Sequence, residues 1–383
     1  MTGLPREMKL AVVQRRDTLH TLELRDQHID TGTRRGRGRW PAWAPGGALL
    51  YSRFESPAGS SPPKVVAATS ADEERILYQP ATGDPQAIAP RVPHYYLASN
   101  GDAVAVVAAR AGGLALFLAS LRDPGSARSQ LAGAPLFPAW SPDARYLAVH
   151  AGTDLVVLDT LSDGRVQPLS GNAAGFRSPA YCSDGSLLAY ASSSGADVAV
   201  TFADPDGHAL ERGPGFRRGL AFAFRPGTSE LTIATTPDPT SGTYDALWKA
   251  EAGSEPRRLY HGSFTAFTWA PGGDRVCLFY PTQSGDGTVG LYILDPDGSV
   301  IAASEPFLPS TDQRTWLNFF DQYDKSHSPW LAGGEALLVS GRAGTDRFAP
   351  SFGDARGNAI YLWDGQRRSE LHDIGPGQFA VPA

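Results

Sequence analysis

PAWAPGGALLYS at residues 41–52, PAWSPDARYLAV at 138–149 and PAYCSDGSLLAY at 179–190 are copies of one twelve-residue pattern. Recurrence limits the fold more than any other feature of the chain, because each copy must build the same unit and bury it against the next. The aromatic that follows Pro-Ala recurs at Trp43, Trp140, Tyr181, Phe224, Trp269 and Trp330, and Leu97 takes its place in a degenerate copy, HYYLASNGDAVAVV. Successive spacings are 54, 43, 41, 43, 45 and 61 residues. Periods of this length, filled with short strands, predict a β-propeller.

Each unit divides into four strands, A to D. In the copy at 137, strand A is Phe137 to Trp140, SPDA turns the chain, and strand B is Tyr146 to His150. TDLVVLDT and RVQPLS then supply strands C and D. Proline presets one turn dihedral, aspartate bonds its own backbone, and Gly47 or Gly185 accepts positive φ. DPDG at 204–207 and 295–298 marks the C–D turn. Strand A crowds the axis, which suits Ala42, Ala139 and Ala180, and the next aromatic is expected to wedge between blades. Burying such a side chain contributes at most about 4–6 kcal/mol. On that reading Trp140 carries more stability than Trp316 outside the repeat.

The chain ends complete the count. Three strand-like runs, Met8 to Gln14, Leu19 to Leu24 and Gln27 to Thr31, precede the first strand A, and the chain stops at Pro382-Ala383, the Pro-Ala of another copy. Pairing of the C-terminal strand with the N-terminal strands would close a ring and hide its edges. The expectation is an all-β chain, one propeller domain over 1–383. Blades start near 40, 94, 137, 178, 221, 266 and 327, and a shared blade is made of 8–31 plus 376–383. That is eight blades, or seven if the N-terminal strands are an appendage.

PAWSPDARYLAVHAGTDLVVLD resembles the repeat of the TolB-like propeller family, a relative of WD-type repeats. The likeness runs over 8–383, with degenerate copies at 94 and 218. The resemblance implies a propeller and says little of function. The family includes periplasmic partner-binding proteins of cell-envelope complexes and the substrate-gating propellers of prolyl oligopeptidases. This chain shows no signal peptide and no length for a hydrolase domain, so the expected location is cytoplasmic, and the arginine-rich composition suggests a bacterial source.

The insertions fall on one face. A–B and C–D turns are short, whereas the B–C segments 55–75, 236–244, 281–289 and 341–358 and the D–A segment 310–326 are long and share the other face. Insertions confined to one face mark a binding face. Within 310–326, Trp316, Phe319, Phe320 and Tyr323 have helical spacing. Ser310 or Thr311 is placed to cap a helix over about 312–324. Its aromatic stripe either packs on the propeller face or forms a lid, through Trp316, Phe320 and Tyr323, over the channel mouth. Arg39, His94, Arg177, Arg218, Lys325 and His327 start strand A and are expected to rim that mouth as a cationic ring for an anionic partner segment. The run RRGRGR at 34–39 feeds this rim.

Net charge of −6 argues against a general nucleic-acid binder. The longest N-terminal apolar run, Leu10 to Val13, is short of a signal core, and no stretch approaches a membrane span. Cys182 and Cys277, in different blades, read as reduced packing residues. G-x-S-x-G, the phosphate loop, H-E-x-x-H and C-x-x-C are all missing, and the eight histidines show no metal spacing. No catalytic or metal-ligating residue and no cofactor is assigned. The expected function is a non-catalytic scaffold that binds a protein or peptide. The alternative is a lactonase-like hydrolase with a site assembled across blades in the channel.

Overall fold

The computed structural model describes residues 7–14, 17–25, 28–29, 32–55, 61–70, 73–81, 93–162, 165–169, 173, 177–194, 197–217, 219–238, 240–344, 357–365 and 370–383. Blade 3 shows how the repeat becomes structure. Strands A to D are Leu136–Trp140, Tyr146–Ala151, Asp154–Asp159 and Arg165–Pro168, paired antiparallel in that order. In the A–B turn, Ser141 Oγ accepts from the Tyr146 amide at 2.9 Å. Ala144 there has φ 62°, at the place where sister turns carry Gly47, Gly185, Gly273 and Gly334, all at positive φ. A left-handed residue ends each of these turns, and glycine adopts it with least strain.

Blades 2, 4 and 5 repeat this sheet, with strand A at Tyr95–Ala98, Ala180–Tyr181 and Leu220–Phe224. Two larger sheets each contain a pair of blades. One joins blade 6, whose strand A is Ala266–Trp269, to blade 7, whose strand A is reduced to a bridge between Trp330 and Leu337. The other joins blade 8 to blade 1. Blade 8 is the shared one: Phe379–Pro382 pairs with Glu7–Val13, in the register Leu10 to Pro382 and Val13 to Phe379. Blades 8 and 1 are continuous because Thr33–Trp43 is one long strand. Its first half pairs with Thr18–Arg25 as strand D of blade 8, and its second half with Leu49–Arg53 as strand A of blade 1.

Two expectations are corrected in blades 1 and 8. The B–C segment expected at 55–75 ends at 63, because Lys64–Ala68 is strand C of blade 1 and Glu74–Tyr78 its strand D. His28–Ile29 makes two pairs and the rest of the expected run 27–31 lies outside the described residues, among which Thr33 to Arg37 supplies most of strand D. The arginine run 34–39 is therefore ladder, not a free arm. The direction change comes at Trp40, with φ 55°, where the register shifts.

All eight blade junctions carry a hydrogen bond, which makes the ring continuous. Four use a wedge tryptophan: Trp43 to the Val381 carbonyl (3.3 Å), Trp140 to Leu97 (3.0 Å), Trp269 to the Thr232 hydroxyl (3.0 Å) and Trp330 to Thr268 (3.3 Å). The others join Ser52 to His94, His150 to Arg177, Gly227 to Ser183, and Ser340 to Gln378. An indole that spans two blades buries its ring and satisfies its N–H together. Trp269 and Trp330 are buried; Trp43, Trp140 and Tyr181 are only half-buried. Cys182 and Cys277 are buried free thiols. Among the described residues no helix is long and apolar enough to cross a membrane.

Candidate functional site

The D–A segment between blades 6 and 7 forms two short helices, α1 (Thr311–Asn318) and α2 (Phe320–Tyr323). Ser310 caps α1 by accepting from the Gln313 amide at 3.1 Å, with Asp312 in the first turn. The helix breaks at Phe319, so the four aromatics do not form one stripe. Trp316 and Phe320 are 1% exposed, whereas Phe319 is 40% exposed.

Trp316, Phe320 and Tyr323 pack against blade residues. The two helices fill the upper mouth of the channel as a plug that touches every blade. Tyr323 packs tilted against Trp40 of blade 1, ring centres 4.6 Å apart, and the Tyr95 hydroxyl of blade 2 donates to the Gln322 carbonyl at 2.9 Å. Gln322 reaches the Leu136 carbonyl of blade 3 at 3.4 Å. Phe320 packs between Tyr244 of blade 5 and Phe267 of blade 6. Ser310 meets the Ser340 hydroxyl of blade 7 and the Gln378 carbonyl leading into blade 8.

Ion pairs join the packing at the plug. Arg39 Nη2 lies 2.5 Å from Asp312 Oδ1, and Arg177 Nη2 lies 3.1 Å from Asp321 Oδ1. The other Asp321 oxygen accepts from the Ser178 amide at 3.2 Å in blade 4. Arg177 also donates to the Tyr244 hydroxyl at 2.8 Å and to the Asn318 carbonyl. Burial raises the pKa of Asp312 above the usual carboxylate value, and Arg39 pulls against that shift.

The rim is thus not a ring of free cations. His94 and His327 are buried, and burial lowers both pKa values to about 4, so each is neutral at pH 7. His94 bonds the Pro63 carbonyl and His327 the Trp40 carbonyl, so both are core residues. Arg39 and Arg177 are at the mouth but paired to the plug. Lys325 lies below it, with Nζ donating to the Pro179 carbonyl at 2.5 Å and to Ser178 Oγ. Arg218 lies outside the described residues. The residues missed from sequence were Asp312, Asp321 and Asp324. A signal was there: three carboxylates on the segment expected beside a cationic rim.

The plug leaves two spaces. On the insertion-bearing face a groove of about 520 Å³ runs between the C-terminal end of α1 and blades 4 to 6. Leu220, Leu317 and Phe319 give it an apolar side, and Thr236, Thr240, Thr243, Thr265 and Asn318 a hydrogen-bonding one, with Arg177 at its border. Below the plug, a chamber of about 390 Å³ occupies the lower channel. Away from both, Asp204, Asp206 and His208 bring ligand atoms within 4.8 Å of one another on the C–D turn of blade 4. His208 Nδ1 is already 2.6 Å from Asp206, and that contact raises the histidine pKa.

No family model and no curated protein matches this chain. Solved structures do. It is similar to a crystal structure of the eukaryotic initiation factor (TM-score 0.54, 12% identity, 98% of each chain covered). It is also similar to a structure from a study of two prolyl endopeptidases (TM-score 0.55, 12% identity, 90% of this chain and 50% of that one). TolB from Acinetobacter baumannii is a further neighbour, at TM-score 0.41 and 14% identity over 76% of this chain and 63% of that one. Similarity at these identities shows the β-propeller fold alone.

Proposed function

We propose that this chain binds a protein or peptide partner on the face carrying the B–C and D–A insertions, in the groove beside α1. The observation that carries the reading is the groove itself. It pairs an apolar wall with a row of hydroxyls, the combination that accepts a side chain and hydrogen-bonds the backbone next to it. Phe319 stands 40% exposed at its edge while Trp316, Leu317 and Phe320 beside it are buried. Charge plays a smaller part than a cationic ring would give, because Asp321 already pairs with Arg177. Binding therefore weakens only modestly as salt rises.

The test is a pull-down from the native cell followed by titration of the retained partner. Thr243→Trp fills the groove from a half-exposed position, and Asp206→Ala alters the opposite face. The expected result is binding by wild type and Asp206→Ala, and loss with Thr243→Trp. Retention by Thr243→Trp with loss in Asp206→Ala would put the partner on the other face.

A further inference from the structure

The lower chamber is separate from the groove and does not depend on the reading above. Small strand A residues of blades 2 to 5, Ala98, Ala139, Ala180 and Ala223, line part of its wall, with the polar Asn100, Ser141 and Ser183 beside them. Trp140 and Tyr181 flank them, and Asp324 and Lys325 form the roof. The alanines that let strand A approach the axis are thus what leaves the space. At about 390 Å³ it lies within the range of small-molecule sites, roughly 300–1,000 Å³.

Lys325 is the group at this roof whose bonding is incomplete. Its two acceptors, the Ser178 hydroxyl and the Pro179 carbonyl, are both neutral. An ammonium has three N–H donors, so among the described residues one is left for the chamber. Neither nearby carboxylate makes an ion pair with Lys325 among the described residues, since Asp321 pairs with Arg177 and Asp324 accepts from the Thr268 hydroxyl at 2.8 Å, although both favour the charged form of Lys325. We propose that the lower chamber binds a small carboxylate, with Lys325 as its counter-charge and the alanine wall against its hydrocarbon part. A single cation beside an aspartate suits a monoanion better than a phosphate dianion. Burial brings the Lys325 pKa down to about 8 even though the charges of Asp321 and Asp324 oppose the shift, and a bound anion relieves more of that cost.

The carboxylate has two sources, a free small acid or the C-terminus of a polypeptide entering from the open lower mouth. Calorimetric titrations separate them. Butyrate and benzoate serve as free acids, benzamide as a neutral control, and tetraglycyl-alanine is compared with its C-terminal amide. Wild type is set against Lys325→Met and Ala223→Leu. Ala223 is half-exposed, so leucine there fills the chamber without entering the packed core. Binding of an acid, at least tenfold weaker in both variants and lost with benzamide, supports a free ligand. Binding of the peptide acid but not its amide, with the same loss in the variants, supports a polypeptide terminus. No binding of any acid to wild type, equal binding by benzamide, or unchanged affinity in Lys325→Met overturns the proposal. If Lys325→Met does not fold, unchanged affinity in Ala223→Leu overturns it alone.

Discussion

Above the level of Ser178 the channel is occupied by a segment that appears once in the sequence; below it, the same strands enclose an open chamber. In the upper half the repeat supplies only a socket. The contents are two aromatic rings at 1% exposure, two ion pairs, and bonds to the Tyr95 hydroxyl and the Leu136 carbonyl of successive blades. In the lower half the repeat supplies everything but the roof, and its alanines leave a cavity. The repeat builds the ring, and a unique insertion decides how much of its axis stays open. The wedge tryptophans belong to the first task and the plug to the second, so mutations can tell them apart.

The largest contrast is expected between Trp316 and Trp140. Trp316→Ala removes a side chain 1% exposed whose indole donates to the His327 carbonyl at 3.0 Å. It should cost about 3–5 kcal/mol in denaturant unfolding. Trp140→Ala, at a half-buried wedge, should cost about 1–2 kcal/mol less. Equal losses would erase the distinction between plug and wedge. Next comes Asp321→Ala, which strands Arg177. Breaking a fully buried pair costs about 3–5 kcal/mol, and the guanidinium is 24% exposed, so about 2–3 kcal/mol is expected. A loss below about 0.5 kcal/mol would show that packing alone seats the plug.

Asp324→Asn tests the roof through pH. Burial raises the Asp324 pKa to about 7, against 3.8 for an ordinary aspartate. Between those values the native state keeps a proton that the unfolded chain has lost, so this carboxyl makes stability decline as pH rises. The variant should match wild type near pH 4 and melt progressively higher than it up to pH 7. His94 and His327, at about 4 in the fold, act in the opposite sense and lose stability as pH falls from 6.5, but they cancel in the comparison. A constant offset at every pH would remove the assignment. The smallest effect is expected at Phe319, where alanine should change stability by less than about 0.5 kcal/mol, because the ring lies outside the plug core. A larger loss would make Phe319 part of that core.

The ring was legible because its information is local. Turn residues at fixed offsets and an anchor residue every 41 to 61 residues, aromatic in every copy but that of Leu97, need no knowledge of distant partners. The helix at 311 was legible for the same reason, with its cap narrowed to Ser310 or Thr311, of which Ser310 serves. Its place in the channel was not, since Arg39 and Asp312 are 273 residues apart and Gln322 and Leu136 are 186 apart. His94 shows the limit most sharply. Its register, three residues before the anchor, follows the repeat, yet whether a residue there faces solvent or a neighbouring blade depends on Tyr78 and Pro63 of the blade before.

Amide hydrogen exchange across 311–327 tests the central claim, that a unique segment seals the upper channel. A plug held by every blade should exchange at rates comparable with strand A of blade 3, Leu136–Trp140, and lose protection only with the whole fold. Exchange within seconds over 311–327, while Leu136–Trp140 stays protected, would contradict it.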